Sequence, residues 1–132
     1  MRNPARPLIE DLDALPLPAY HLFPDFDQYA KQDSMPAWLQ DVRTAPVVSS
    51  RGCPWDCVFC SSKRLWGGPK TFRARSAHKI VDEIEYLIDR FKITYIRFQD
   101  DCFTADRERV LLFCQELLRR NVRIVWRAES RI

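Results

Sequence analysis

The chain has 132 residues, of which 46% are apolar and 30% charged, and its formal net charge is +3. This composition is typical of one globular domain with a buried core. No run approaches the roughly 18 consecutive apolar residues of a membrane span, and the N-terminal residues lack the apolar stretch of a secretory signal. We therefore expect a cytoplasmic protein without a membrane span. Because the cations are interleaved with 18 acids, charge alone does not indicate a nucleic-acid ligand.

Residues 1–45 are expected to form a proline-rich connector, or strap, ahead of the main domain. This part of the sequence holds most of the nine prolines, and its apolar residues, as in LDALPLPAYHLFPDF, follow neither the period of a strand nor that of a helix. Such a pattern is typical of an extended segment that lies over a surface. We assign residues 46–132 to a domain in which strands and helices alternate.

Two strands with a helix between them begin the predicted domain. The run PVVSS (46–50) is short and apolar, and ITYIRF (93–98) is rich in the β-branched and aromatic residues that strands favour. Between them, Ser76 is a candidate N-cap for a helix that runs through Phe91. The apolar residues of this helix recur at helical spacing and form one stripe: Ile80, Ile84, Leu87, Ile88 and Phe91.

A second helix and a third strand follow. Thr104 is expected to cap a helix that continues to Arg120, and Asn121 is placed to end it. VRIVWRA (122–128) has the composition of a strand. The order strand, helix, strand, helix, strand predicts two βαβ units with parallel strands, and hence an α/β fold. The inner face of the second helix is expected to carry Val110, Phe113, Cys114, Leu117 and Leu118.

Polar and reactive side chains follow each predicted strand. In a parallel sheet or barrel, functional groups lie in the loops at the carboxyl ends of the strands. We therefore expect thiols and carboxylates from three loops to converge on one face of the domain. The first strand leads to Cys53, Cys57 and Cys60, the second to Asp100 and Asp101, and the third to Glu129, Ser130 and Arg131.

Three of the five cysteines lie within eight positions, in the stretch CPWDCVFC. In a reducing cytosol, clustered cysteines are more often metal ligands or catalytic groups than disulfides, and five is an odd count. A structural zinc site and a simple electron-transfer cluster each take four protein ligands. Three ligands leave one corner of a metal site open, and an open corner allows the site to bind a substrate or a cofactor.

The spacing C-x3-C-x2-C at Cys53, Cys57 and Cys60, with Phe59 before the last cysteine, resembles the signature of the radical S-adenosylmethionine (radical SAM) enzymes. The resemblance implies that these cysteines ligate three irons of a [4Fe-4S] cluster and that S-adenosylmethionine chelates the fourth. It also implies a 5′-deoxyadenosyl radical, a small-molecule substrate and a reductant of flavodoxin or ferredoxin type. No catalytic residue beyond the cluster ligands is assigned.

Further residues take roles from the same resemblance. Phe59 is expected near the adenine of S-adenosylmethionine, and Gly52 is expected to permit a backbone turn before the first ligand. Many family members carry a carboxylate after the second strand that meets the methionine ammonium, and here Asp100 or Asp101 can take that part. We favour Asp101, because Asp100 shares the face of Ile96 and Phe98. The alternative is that these acids cap the helix that follows.

Within this superfamily, the strap, the cysteine loop and the stretch IRFQDDCFTADRERV look like the cobalamin-binding group. That group includes methyltransferases and the anaerobic porphyrin-ring cyclase type, so cobalamin is a possible cofactor of the parent protein. Two other functions stay open. One is an iron–sulfur electron-transfer or zinc-binding module without SAM chemistry, and the other is a modifier similar to the radical SAM RNA methylthiotransferases.

The resemblance also implies a partial TIM-like (β/α) barrel that stops after its third strand. We expect inward-facing apolar residues at Ile96, Val125 and Trp126 to lack an opposing wall, so that the isolated chain associates with itself or needs a partner chain that supplies the missing barrel half. As an inward-facing residue, Trp126 is expected either to pack in the core or to form part of the wall of the substrate site.

Three smaller features receive predictions as well. Cys102 is expected to be a small packed residue, with a fourth cluster ligand or a substrate-facing thiol as the alternatives. Cys114 is expected in the core. The stretch SKRLWGGPKTFRAR (62–75) mixes cations with Trp66 and Phe72, and it is either a phosphate or aromatic-substrate site or a solvated loop.

Overall fold

The computed structural model describes residues 6–30, 42–65 and 71–131. Two short 3-10 turns (Leu12–Ala14 and Tyr20–Leu22) precede the first helix. The helices are α1 (Phe26–Ala30), α2 (Ser62–Leu65), α3 (Ala77–Phe91) and α4 (Arg107–Arg119), and a third 3-10 turn lies at Phe103–Ala105. The strands are β1 (Thr44–Val47), β2 (Ser50–Arg51), β3 (Arg73–Ala74), β4 (Tyr95–Phe98) and β5 (Val125–Arg127).

The main sheet has three parallel strands in the order β1-β4-β5. The helix α3 connects β1 to β4, and α4 connects β4 to β5, so the predicted pair of βαβ units and the α/β class are confirmed. The two helices pack against each other and against the sheet. Within the described residues this sheet is open. None of the helices in this part of the chain combines the length and the apolar character of a membrane span.

The helix α3 has the predicted boundaries. Ser76 is its N-cap residue by position, although its side chain makes no capping hydrogen bond, and Lys92 ends the helix in the left-handed conformation with φ 55°. The backbone N–H of Lys92 donates to the carbonyls of Ile88 and Leu87, which satisfies two of the last carbonyl groups. Among the apolar residues that α3 buries are Ile80, Ile84 and Leu87 from the predicted stripe.

The helix α4 corrects two predictions. Asp106 is its N-cap, and its carboxylate accepts from the backbone N–H of Arg109 at 3.0 Å. Thr104 is not the cap, because it lies in a 3-10 turn and its hydroxyl is hydrogen-bonded to that of Ser130 at 2.5 Å. The prediction that Leu118 lies on the inner face is wrong, since Leu118 is 82% exposed. The predicted end of the helix is confirmed by Asn121, which has φ 54°.

The two faces of the sheet are unlike. Ile96 and Trp126 are in register on neighbouring strands and belong to the core beneath α3 and α4. The prediction that both face the inside of a barrel is therefore wrong, because both pack on the helices. Val125, on the opposite face, is 52% exposed, in agreement with the expectation for that residue. An aromatic cluster fills the helix side near the ends of the strands: Phe98, Phe103, Phe113 and Trp126.

A small antiparallel ribbon follows β1. Its strands are β2 and β3, so the predicted strand over residues 46–50 divides into two pieces that belong to different sheets. Gly52 follows β2 with φ +83°, and a Cβ at this position would lie 2.6 Å from the carbonyl oxygen of Thr71. The turn therefore requires glycine twice over, for its backbone angle and for its close approach to Thr71.

Residues 6–30 lie against the ribbon and α3. The guanidinium of Arg73 donates to the carbonyl of Ile9 at 2.8 Å, and the backbone N–H of Ser76 donates to the carboxylate of Asp13 at 3.0 Å. Rings of this segment join an aromatic group at the end of α3: Tyr20, Phe26, Tyr86 and Phe91. The domain boundary between residues 45 and 46 stays a prediction.

Candidate metal and cofactor site

The loop between β2 and α2 carries three of the cysteines. Cys53 and Cys57 are half-buried and Cys60 is exposed, and all three thiols are free. The backbone N–H of Cys60 donates to the carbonyl of Cys57 at 3.1 Å, so a tight turn links these two residues. Phe59, inside this turn, is 90% exposed. Its ring is thus exposed to solvent, where a ligand can reach it. The expected contact of Phe59 with an adenine stays a prediction.

Cys53 lies near Asp101 and Cys102, which follow β4. Burial raises the pKa of Cys53 above its ordinary value, and the nearby Cys102, Asp101 and Cys57 add to the rise. Among the residues that the structure describes, no three thiol, imidazole or carboxylate side chains surround one point closely enough to hold a metal ion. An iron–sulfur cluster does not need such a point, because each of its thiolate ligands binds a different iron.

Asp100 is buried at the end of β4, where it is 3% exposed. One of its oxygens accepts from the backbone N–H groups of Ser49 and Ser50, both at 2.8 Å, and the other accepts from the hydroxyl of Ser49. The guanidinium of Arg109 donates to the same hydroxyl at 2.9 Å and to the carbonyl of Phe103 at 2.7 Å. We call Arg109, Ser49 and Asp100 the buried bridge.

Asp101 has different surroundings from Asp100. It is exposed, it accepts from the hydroxyl of Ser62 at 2.6 Å, and it contributes to the electrostatic environment of Cys53. The two neighbouring acids therefore point to different places, as the alternation of side chains at the end of a strand predicts. That either acid contacts a cofactor stays a prediction.

The end of β5 reaches the cysteine loop from the other side. The guanidinium of Arg131 lies over the ring of Trp55, 4.8 Å from its centroid. A cavity of about 340 Å³ is lined by Trp55 and Arg131 together with Cys102 and Thr104. Loops from all three strands of the main sheet thus meet at one edge, as expected.

The remaining predicted residues lie beside the cavity, in the core or in the stretch 62–75. Cys102 is 3% exposed and packs as a small buried residue beside the cavity. Cys114 packs against the core from α4. In the stretch 62–75, Arg73 and Arg75 donate to backbone carbonyls of the domain, and Arg75 pairs with the buried Glu83. Trp66 lies outside the described residues.

Sequence reasoning missed Ser49, Arg109, Trp55 and Ser62. Arg109 carries the clearest signal, because a cation in the first turn of a helix that faces the sheet requires a buried acid as its partner. Asp100 supplies that acid at the end of an apolar strand, so the pair could have been found by matching the two buried charges.

The chemistry of the donor set fits an iron–sulfur cluster. Three thiols in one short loop, free of disulfides, are the soft ligands that such clusters take. The fourth position has no thiol in the loop itself, and the cavity beside Trp55 and Cys102 gives room for a small molecule next to it. Cys53, Cys57 and Cys60 are the residues that would hold the cluster.

Comparison with known proteins agrees with this chemistry. A family model described as the Radical SAM superfamily matches residues 47–130. The chain is 37% identical to an uncharacterized methyltransferase of Pyrococcus horikoshii over 133 residues, which cover 100% of this chain and 27% of that protein. It is 32% identical to the anaerobic magnesium-protoporphyrin IX monomethyl ester cyclase of Rubrivivax gelatinosus over 98% of this chain and 21% of that protein.

A third relative is the cytidylyl-2-hydroxyethylphosphonate methyltransferase of Streptomyces wedmorensis, which is 29% identical over 80% of this chain and 20% of that protein. The chain therefore spans about a quarter or less of the length of these relatives. The family match extends from the end of β1 through β5 and includes the whole cysteine loop. The chain belongs to the radical SAM superfamily, whose members are enzymes that use a [4Fe-4S] cluster and S-adenosylmethionine.

Proposed function

We propose that the chain forms the cluster-binding part of a radical SAM enzyme, in which Cys53, Cys57 and Cys60 hold three irons of a [4Fe-4S] cluster. The observation that carries this proposal is the loop of three free thiols at the edge where β1, β4 and β5 end. When bound and reduced, the cluster supplies the electron that cleaves S-adenosylmethionine to a 5′-deoxyadenosyl radical.

The chain's own residues bind and orient the cofactor. Asp101, exposed beside Cys53, accepts hydrogen bonds from the methionine ammonium. Phe59 offers its exposed ring and backbone to the adenine. Cys102 and Trp55 form a wall of the adjoining cavity and restrict access of water to the reacting atoms.

Methyl transfer to a small-molecule substrate is the reaction we propose for the parent protein. Two of the three relatives described above are named methyltransferases, and the third is named a cyclase, so anaerobic ring cyclisation is the second candidate. Cobalamin stays a prediction that rests on the resemblance alone. A flavodoxin or ferredoxin in the cytoplasm is the proposed source of electrons, and a partner chain or barrel segment completes the wall opposite Val125.

The proposal is tested by anaerobic reconstitution of the chain with iron and sulfide. We expect about four irons and four sulfides per chain, as a cubane cluster requires, and a paramagnetic signal of the reduced protein that changes when S-adenosylmethionine is added. The matched control is the variant with Cys53, Cys57 and Cys60 all changed to alanine, which should take up no cluster. Stoichiometric zinc uptake without iron, or iron uptake that ignores S-adenosylmethionine, contradicts the proposal and favours a zinc or electron-transfer module.

A further inference from the structure

The buried bridge is an ion pair in which a serine hydroxyl stands between the two charges. The Ser49 hydroxyl donates to Asp100 and accepts from Arg109, and the exposed fractions of these three residues are 0%, 3% and 7%. Burial lowers the pKa of Arg109, while Asp100 and Asp106 oppose this shift. A buried charge is tolerated only when it is paired and hydrogen-bonded, so each member of the bridge depends on the other two.

The bridge ties together three separate parts of the fold. Ser49 follows β1, Asp100 follows the central strand β4, and Arg109 comes from the first turn of α4. Its contacts to the backbone N–H groups of Ser49 and Ser50 fix the path of the chain as it leaves the sheet. The guanidinium is held in place by the Phe103 carbonyl and lies 5.0 Å from the centroid of the Phe103 ring.

The chain then runs from Ser50 to Cys53 through further restraints. Residues 50 and 51 pair with β3, and Gly52 packs against the backbone of Thr71. Cys53 is the next residue. By contrast, Val58 and Phe59 are 94% and 90% exposed, and the Cys60 thiol is also exposed. Cys53 thus follows a restrained stretch of backbone, whereas the part of the loop at Val58, Phe59 and Cys60 has little packing.

Asp100 has little capacity left for an external ligand. Its two oxygens already accept three hydrogen bonds inside the protein, and turning toward a bound ammonium would leave the Ser49 and Ser50 N–H groups unpaired. The neighbouring Asp101 is exposed and accepts from the hydroxyl of Ser62. The two acids therefore have different surroundings.

We infer that Arg109, Ser49 and Asp100 are positioning residues that fix the backbone leading to Cys53, the first of the three ligands in the cysteine loop. The inference deepens the proposed function and takes its meaning from it. It assigns a role at the cluster to Arg109, a residue of α4 that touches none of the three thiols through any hydrogen bond in the described structure.

The test begins with the metal-free chain and measures how fast iodoacetamide modifies each cysteine, with the products quantified by peptide mass spectrometry. In Ser49→Ala and Arg109→Met we expect Cys53 to react roughly fivefold to tenfold faster relative to Cys60, the factor that corresponds to losing one or two buried hydrogen bonds. Arg109→Lys, which keeps a cation, should give an intermediate increase. These three variants keep the Asp100 carboxylate, so the test does not depend on whether Asp100→Asn folds.

Leu117→Ala is the matched control. Leu117 is buried in the same helix, about 12 Å further along its axis, and its truncation destabilises the core without touching the bridge. We expect the ratio of Cys53 to Cys60 modification to stay unchanged in this variant. If Leu117→Ala raises the ratio as much as Arg109→Met, the bridge acts only through global stability and the inference is wrong.

A second measurement uses the reconstituted chain. The paramagnetic signal of the reduced cluster should shift in Arg109→Met and Ser49→Ala and stay as in the wild type in Leu117→Ala. A wild-type chain that takes up no cluster, while the bridge variants still release Cys53, would contradict the proposed function and support the positioning. A cluster that forms normally, with neither its signal nor Cys53 modification altered in the bridge variants, would overturn the positioning and leave the proposed function standing.

Discussion

The hydroxyl of Tyr20 donates a hydrogen bond of 2.5 Å to the carboxylate of Glu83, which is only 1% exposed on α3. Arg75 pairs with the other oxygen of the same carboxylate. The segment ahead of the sheet is thus joined to α3 through a buried acid whose charge is balanced by one cation. Through this contact, residues 6–30 contribute to the free energy of unfolding of the domain.

Tyr20→Phe should lower the free energy of unfolding by about 1–2 kcal/mol, the cost of leaving one buried acceptor without its donor. Glu83 keeps Arg75, so the loss should not extend to the whole pair. The measurement is urea unfolding followed by circular dichroism. Tyr29→Phe, at a position that is 68% exposed, serves as the control and should change stability by less than about 0.5 kcal/mol.

The chain should lose stability at alkaline pH because of the raised pKa of Tyr20. Burial, together with the negative charge of Glu83, raises the pKa of Tyr20 above its ordinary value of 10.0. The folded chain therefore keeps the proton at a pH where the unfolded chain loses it. The stabilisation is complete below pH 10 and declines as the pH rises above that value. Unfolding titrations at pH 8 to 11 should show a steeper decline for the wild type than for Tyr20→Phe, and parallel curves would contradict this assignment.

Gly52→Ala should disturb the start of the cysteine loop. A left-handed residue other than glycine costs roughly 1–3 kcal/mol, and the new methyl group would also collide with the Thr71 carbonyl. We expect a lower unfolding midpoint and faster alkylation of Cys53. Val58→Ala, at a position of the same loop that is 94% exposed, should change neither quantity. A Gly52→Ala protein as stable as the wild type would show that the ribbon can shift away from this turn.

Asp101→Asn should weaken S-adenosylmethionine binding to the reconstituted chain by about 1–3 kcal/mol, the range for a lost charge-assisted hydrogen bond, with the iron content intact. Isothermal titration calorimetry measures the effect. Ser62→Ala removes the hydroxyl that Asp101 accepts from in the free chain but keeps the carboxylate, so it should bind the cofactor nearly as the wild type does. Asp100→Asn should instead reduce stability. The reverse pattern, with Asp100→Asn lowering affinity and Asp101→Asn lowering stability, would exchange the two roles.

Phe59→Ala should leave the unfolding midpoint unchanged, because the ring is 90% exposed and contributes little packing in the free chain. Its effect should appear only on S-adenosylmethionine affinity, as a decrease of roughly tenfold from lost apolar contact with the adenine. Val58→Ala is the control, since Val58 is adjacent in the loop and 94% exposed. Equal losses in the two variants would indicate a general effect of the loop rather than a contact of the Phe59 ring.

The parts of the fold that follow from local periodicity could be predicted from the sequence. The apolar stripe of α3 and the left-handed Asn121 after α4 are both signalled by a few neighbouring residues, and the parallel order of the strands follows from their alternation with helices. The start of α4 could not be predicted in this way. Thr104 and Asp106 are both good caps locally, and the choice depends on Ser130, which engages Thr104 from a distant loop.

Which face of each strand packs on the helices could not be predicted from the sequence either. Ile96 and Trp126 have an apolar side chain in a short strand, and such a residue suits the helix side and the barrel side equally well. Packing settles the question, because Trp126 completes an aromatic cluster with Phe98, Phe103 and Phe113. The cysteine spacing identified the candidate ligands, whereas the restraint on Cys53 by the buried bridge depends on contacts between residues about 50 to 60 positions apart.

The stacking of Arg131 on Trp55 has an optical consequence. Trp55 is 46% exposed and lies between Cys53 and Cys57, two residues from each. Its indole emission therefore responds to the solvent around the cysteine loop. A nearby guanidinium and, when iron is present, the strong absorption of iron–sulfur centres both alter indole fluorescence. In a variant whose other tryptophans are replaced by phenylalanine, the emission of Trp55 therefore reports changes around the cysteine loop when iron binds, without any external dye.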